Sequence, residues 1–313
     1  MTSKTFDLIE VGPRDGLQNE SVHMGTDDKL ALISRMLDAG VRRIEVASFV
    51  HPKRVPQMAD AEAVIAGLPD REGVSYIGLC LNKRGVLRAI ETRSGGARGV
   101  DEAGCVLVLT DTFGQKNQGQ SVAEGLKENK DMIALARSEG LVPQITLSAA
   151  FGCPFEGEVD PGHVVDIACR IAEAEPAEIA FADTIGVAVP GQVSDLLGRV
   201  REALPHIPLR AHFHNTRNTG LANVWAAIEA GVTRIDASVG GMGGCPFAPQ
   251  ATGNVPTEDV LYLLHRAGWD SGIELTQVND TAQWLTDVMG RPLPGMVSRA
   301  GVFPKQEMLQ AAV

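Results

Sequence analysis

The stretch PLRAHFHNTRNTGLANVWAAIEAGVTRIDASVGG, Pro208 to Gly241, contains a complete strand–helix–strand unit. PLRAHFH alternates in polarity, which is the period of a strand with one face on a core. GLANVWAAIEAG is an apolar helical segment ended by Gly231, and RIDASVG, from Arg234, returns to strand character. One such unit fixes the local rule for the chain: each strand is followed by a helix, and the next strand lies parallel to the first.

Working outward, the same rule repeats. FDLIEV, RRIEVAS, SYIGLC, CVLVLT, PQITLSA and EIAFAD begin near Phe6, Arg42, Ser75, Cys105, Pro143 and Glu178, and with the two strands above they make eight. TDDKLALISRMLDAG sets Leu30, Ile33 and Leu37 on one stripe and stops at Gly40, while Pro161, Pro190 and the Thr257-Glu258-Asp259 cluster mark further helix starts. Eight βα units predict an α/β fold, a closed (β/α)8 TIM barrel. The alternative is an open doubly wound sheet, but no GxGxxG follows the first strand. The barrel is expected over about 6–268 of a single domain spanning 1–313. A C-terminal extension of about 269–313 follows, with one helix, Leu275 to Met289, and then a poorly ordered Pro- and Gly-bearing tail. Thr92 to Gly104 is the most loop-like stretch.

Hydrophobic residues at 44% and charged residues at 21% supply a continuous core and argue against disorder. A net charge of −11 disfavours nucleic acid and anionic membrane as partners, since a polyanion would be repelled. An anionic small substrate needs a local cluster of cations or helix N-termini. Five cysteines without a CxxC pair fit a reducing compartment. The N-terminus runs into strand with no apolar leader, so a cytoplasmic location is expected.

In a barrel of this kind, chemistry occurs at the C-terminal ends of the strands, so polar residues there need an explanation. The first strand ends in EVGPRDGLQNE, presenting Arg14, Asp15 and Gln18; the second carries Glu45; the sixth ends at Asp183; the seventh ends in HFHN; the eighth runs into GGMGGCPFAPQATGN. His212 and His214 are two apart on a strand and therefore share a face. Read alone, an HxH pair is as readily two hydrogen-bonded polar residues as a ligand pair. Asp15 and Asn254 would complete a mixed nitrogen and oxygen set, better suited to Mg²⁺ or Mn²⁺ than to a closed zinc site. A carboxylate inside a strand, such as Glu45, is costly unless paired, and Arg14 or the metal can pair it. Asp183, followed by Thr-Ile-Gly, can equally serve as a loop cap.

Gly-Cys-Pro-Phe occurs twice, at Cys153 and at Cys245. At Cys153 the turn-shaping reading is preferred. Cys245 follows Gly240, Gly241, Gly243 and Gly244, on a loop suited to close over substrate and deliver a thiol. Cys105 and Cys169 sit in apolar contexts and are expected in the core.

Taken in order, VGPRDGLQNE, IEVASFVHPKRVPQM, FADTIGV, HFHN and GGMGGCPFAPQATGNVPTED resemble the hydroxymethylglutaryl-CoA lyases, which belong to a superfamily of barrel metalloenzymes that includes isopropylmalate synthase. The similarity runs from about Asp7 to Gly268, and the glycine-rich loop ending in GGCPFA carries the lyase branch. The resemblance implies a divalent cation, Mg²⁺ or Mn²⁺, on Asp15, His212, His214 and Asn254. It also implies catalytic roles for Arg14, Glu45 and Cys245, acyl-group contacts from Gln18 and Asp183, and CoA contacts from Lys116 and Asn117. The implied reaction is retro-Claisen cleavage of a 3-hydroxy-3-methylglutaryl-CoA-like thioester, with the acyl-CoA as partner and room for a homo-oligomer. A Claisen synthase or 2-oxo acid aldolase on the same scaffold, and a non-catalytic metal- or acyl-CoA-binding barrel, are the alternatives. Asn215 follows His214 where many relatives carry Asp, and GMGG stands where GLGG is usual.

Overall fold

The structure, a computed structural model, describes residues 4–244 and 253–304. The barrel strands are β1 (Asp7–Glu10), β2 (Arg43–Ser48), β3 (Ser75–Cys80), β4 (Glu102–Val108), β5 (Val142–Ser148), β6 (Ile179–Asp183), β7 (Leu209–Phe213) and β8 (Arg234–Ala237). All eight pair in parallel and in sequence order, with β8 hydrogen-bonded back to β1 to close the barrel. The helices that cover it include α1 (Thr26–Asp38), α2 (Ala61–Ala66), α3 (Lys83–Glu91), α4 (Asp111–Asn117), α5 (Val122–Ser138), α6 (Pro161–Ala172), α7 (Pro190–Ala203), α8 (Gly220–Glu229) and α9 (Thr257–Arg266). Proline opens α6 and α7, where its missing N–H costs nothing. The doubly wound alternative is excluded by the closure.

Outward positions such as Ile179, Phe181, Ala211 and Phe213 build the apolar layer between strands and helices. The inward positions are unusual. A barrel of this type ordinarily fills its interior with branched apolar side chains, yet here a column of charge runs up the axis. At its base Arg43 of β2 is forked between Glu102 and Glu178 at 2.6 and 2.7 Å, and Arg234 reaches Glu178 at 3.0 Å. Arg210 of β7 lies above, 3.3 Å from Glu178 and 3.5 Å from Asp236 of β8. Burial alone would raise the Glu178 carboxyl; Arg210, Arg43 and Arg234 outweigh it and push it down to about 2. Removing one partner from such a buried set typically costs about 3–5 kcal/mol, because the other charge is stranded.

The start of one strand and the character of the C-terminal tail differ from the sequence expectation. β4 begins at Glu102 rather than Cys105, because Glu102 is anchored by Arg43, by the Ser75 hydroxyl at 2.6 Å and by the Gln144 amide at 2.9 Å. The C-terminal helix α10 (Leu275–Met289) ends at Gly290 in the left-handed conformation, φ 63°. The segment beyond it, as far as 304, is docked rather than loose. Leu293 is buried at 2% exposure, Gly295 N donates to Gly240 O at 3.0 Å, and the Asp259 carboxylate accepts from Met296 N and Val297 N. Gly240 must be glycine, since its φ is 72° and a Cβ there would fall 2.4 Å from Leu293 Cδ1.

Candidate active site

The segment leaving β1 tightens into a single π-helical turn, Gly12–Gly16, that projects Arg14 and Asp15 over the barrel mouth. Arg14 Nη1 meets Asp15 Oδ1 at 2.6 Å and Arg14 Nη2 meets Glu45 Oε2 at 2.7 Å. The guanidinium is thus clamped between two carboxylates, while its Nε is buried with no hydrogen-bond partner among the described residues and is left to donate elsewhere. Burial opposes its charge, but Glu45 and Asp15 raise the Arg14 pKa above its ordinary value. Burial lifts Glu45 above the ordinary carboxylate range in spite of Arg14. Asp15 ends on the other side: burial would raise it, and Arg14 with the two histidines holds it well below that range.

His212 and His214 project into the mouth as alternation requires, their rings 5.2 Å apart, while Phe213 between them packs outward against Phe151. His212 Nε2 and His214 Nε2 stand 3.9 and 3.8 Å from Asp15 Oδ2. Ligand atoms of Asp15, His212 and His214 all lie within 4.8 Å of one another. Asn254 pairs with His214 in an isolated antiparallel bridge and donates from Nδ2 to Asp15 Oδ2 at 2.8 Å, leaving its Oδ1 buried and without a partner among the described residues. Two imidazoles, one ionised carboxylate and one orphaned amide oxygen form a donor set that fits a divalent cation.

The loop after β8 is braced against the first loop. A Cβ on Gly16 would meet Ser238 Oγ at 2.6 Å, so the two loops approach closely only with glycine there, and Asn19 Nδ2 donates to Gly244 O at 2.8 Å. Beneath, two fully buried carboxylates hold the loop's root. Glu10 accepts from Gly12 N, Val239 N and Thr257 Oγ1, and Glu258 accepts from Gly240 N at 2.9 Å. Burial pushes each of them up to about 7.

Gln18, one turn beyond Asp15, is half-buried at the same rim. Asp183, at the end of β6, accepts from Val187 N and Ala188 N at 2.9 and 3.0 Å, the geometry of a loop cap; burial raises its pKa, against the pull of these N–H groups and of His214 and His212. Asn117 lines a cleft of about 310 Å³ with His51, Arg54 and Asn82 at the rim above β2–β4, while Lys116 turns to the Phe155 ring at 5.0 Å. Cys153 is buried, its Sγ accepting from Thr110 Oγ1, Phe155 N and Glu156 N, as a turn-shaping thiol would. Cys105 is buried, but Cys169 is only half-buried. Cys245 lies outside the described residues. Sequence reading overlooked Asp236, which holds His212 Nδ1 at 3.1 Å; the same signal that singled out Glu45, a carboxylate inside an apolar strand, was present in RIDAS.

Comparison with known proteins agrees with this geometry. Residues 5–285 match the HMGL-like family model. An (R)-citramalyl-CoA lyase of Chloroflexus aurantiacus is 39% identical over 309 residues, 95% of this chain and 96% of that protein. A hydroxymethylglutaryl-CoA lyase of Bacillus subtilis is 38% identical over 291 residues, covering 93% and 95%. Among solved structures, an HMG-CoA lyase of Acinetobacter baumannii in complex with coenzyme A and 3-methylmalate superposes with a TM-score of 0.90 at 34% identity, covering 97% of this chain and 98% of that one.

Proposed function

Because the chain belongs to the HMGL-like family and is a carbon–carbon lyase of the acyl-CoA type, we propose that it cleaves 3-hydroxy-3-methylglutaryl-CoA, or a close 3-hydroxy-3-alkylglutaryl-CoA, to acetyl-CoA and a 3-keto acid, acetoacetate in the methyl case. The observation that carries this reading is the Arg14 guanidinium, clamped by Asp15 and Glu45 with an unpartnered Nε, beside the Asp15–His212–His214 cluster.

Asp15, His212, His214 and Asn254 would hold the divalent cation, Mg²⁺ or Mn²⁺. When bound, that ion supplies a Lewis acid that lowers the pKa of the substrate's tertiary hydroxyl. Cleavage removes the proton from the C3 hydroxyl, breaks the C2–C3 bond and leaves its electron pair on C2 as a thioester enolate. Glu45, lifted by burial and adjacent to Arg14, is the better proton acceptor; Asp15 is held too far below the carboxylate range to compete. Arg14 stays charged and presents its unpaired Nε–H to the developing enolate oxygen. Cys245 is assigned the return of a proton to C2, which releases acetyl-CoA and leaves C3 as the ketone. Gln18 and Asp183 would meet the acyl arm, the latter through the loop it caps. The rim cleft with Asn117, His51 and Arg54, together with Lys116, receives the CoA moiety.

The relationship to the citramalyl-CoA lyase supports a second reading. Citramalyl-CoA carries the same tertiary hydroxyl β to the thioester with an acid arm one methylene shorter, and its cleavage gives a 2-oxo acid in place of a 3-keto acid. Acetyl-CoA release assayed across methyl- and longer-alkyl-branched 3-hydroxyglutaryl-CoAs and citramalyl-CoA decides between them. Preference for a glutaryl ester supports the first reading and preference for citramalyl-CoA the second; no release from any member removes both.

A further inference from the structure

His212 is held from both sides. Its Nε2 faces Asp15 Oδ2 at 3.9 Å across the mouth, and its Nδ1 lies 3.1 Å from Asp236 Oδ2 below. A buried carboxylate can only accept, so this contact requires a ring proton on Nδ1 and makes Nε2 the nitrogen that faces Asp15 and is available to ligate. His214 differs, its Nδ1 being buried with no hydrogen-bond partner among the described residues.

Asp236 is itself fixed. It is 5% exposed, and its second oxygen stands 3.5 Å from Arg210 Nε, an ion pair too long for a hydrogen bond. Arg210 is tied through Glu178 to Arg43 and Arg234. These residues lie on β2, β7 and β8 and at the entrance to β6, so the position of the imidazole is referred to the barrel wall rather than to a loop.

We propose that Asp236 is a positioning residue: it fixes the His212 tautomer and ring plane for metal ligation, and the buried Arg210–Glu178–Arg43 chain holds Asp236 in place for that task. The inference rests on the metal reading above and extends it to residues that touch neither metal nor substrate. Outer partners of this kind align the ligand and raise its basicity, and their loss typically costs about 10–100-fold in metal affinity.

The test uses the full chain, with Mn²⁺ alone as probe followed by its electron paramagnetic resonance signal. An Asn at position 236 can donate or accept and so no longer dictates the tautomer; Asp236→Asn should weaken Mn²⁺ binding by about 10–100-fold while circular dichroism remains that of the folded barrel. In ¹⁵N-histidine-labelled wild-type protein loaded with Mg²⁺, His212 should carry its proton on Nδ1, with the resonance assigned by its loss in His212→Gln. Should Asp236→Asn fail to fold, the wild-type spectrum decides alone. Mn²⁺ affinity in Asp236→Asn within twofold of wild type, or a wild-type His212 lacking the Nδ1 proton, overturns the proposal. A wild-type protein that binds no Mn²⁺ would remove the metal reading itself, and this inference with it.

Discussion

Asn254 reaches across 239 residues of sequence to donate from Nδ2 to Asp15 Oδ2 at 2.8 Å. The contact joins the loop after β1 to the loop after β8, so the donor cluster exists only once the barrel has closed. Both histidines point at the same carboxylate oxygen from 3.8–3.9 Å. His214→Ala should therefore lose most activity and more Mn²⁺ affinity than the roughly 10–100-fold typical of an outer partner, with the circular dichroism unchanged. Metal content after dialysis and turnover in EDTA-treated protein check this. Full activity in metal-stripped enzyme would sink the assignment.

Arg14 is held by one carboxylate on its own loop and one on β2, and its role is a property of the guanidinium fork rather than of charge alone. In Arg14→Lys an ammonium can satisfy one of these partners but cannot keep both and still donate to an enolate oxygen. We expect kcat to fall by at least about a hundredfold with a smaller change in KM, because the lost interaction is made in the transition state. A variant impaired in KM alone would contradict the assignment.

Glu10 makes the root of the glycine-rich loop sensitive to pH. Its folded pKa is pushed up to about 7 by burial, against an ordinary value of 4.5, so the folded state holds a proton that the unfolded chain has already released. The stability owed to the neutral form is complete below about pH 4.5 and is lost as pH rises through about 7. Gln mimics the neutral acid: its oxygen can accept from Gly12 N and Val239 N and its amide can donate to Thr257 Oγ1. Glu10→Gln should therefore gain on wild type between about pH 5 and 8, by on the order of 2–3 kcal/mol at most. Calorimetry resolves this, at roughly 2–4 °C in Tm per kcal/mol. A wild-type protein that instead gains on the variant as pH rises would show the proton assignment to be wrong.

The eight strands were legible because alternation and β-branched runs are local signals, and Pro161 and Pro190 announced their helices for the same reason. What escaped was whatever depends on a distant partner. Glu102 begins a strand because Arg43 waits 59 residues away, and the tail after Gly290 is ordered by Gly240 and Asp259, which no property of the tail itself reveals. The histidine pair and Glu45 stood out as polar residues in apolar strands. Asp236 offered the same signal, yet its meaning lies in a 3.1 Å contact to His212 that only the neighbouring strand supplies. The inward face of β7 likewise carries Arg210 below the histidines, and its pairing with Glu178 became visible only when β6 was placed beside it.

Glu45 is the remaining test of the chemistry. It lies 2.7 Å from Arg14, is nearly inaccessible to solvent, and sits above the ordinary carboxylate range because burial outweighs Arg14's attraction. A group that must accept a proton works only when ionised, so kcat/KM should fall as pH drops through the Glu45 pKa, which lies above the usual 4.5. Glu45→Gln keeps the shape and can still accept from Arg14 through its amide oxygen, while the proton acceptor is gone. We expect kcat to drop by about two to four orders of magnitude, with Mn²⁺ affinity little changed and the acid limb of the pH profile absent from the residual activity. The metal measurement matters, since Asp15 shares Arg14 with Glu45, and a loss of rate through a disturbed Asp15 would appear as weaker Mn²⁺ binding. Near-wild-type turnover in Glu45→Gln would leave Glu45 as the clamp on Arg14 alone; an intact acid limb in the variant would move the base to another group at the mouth.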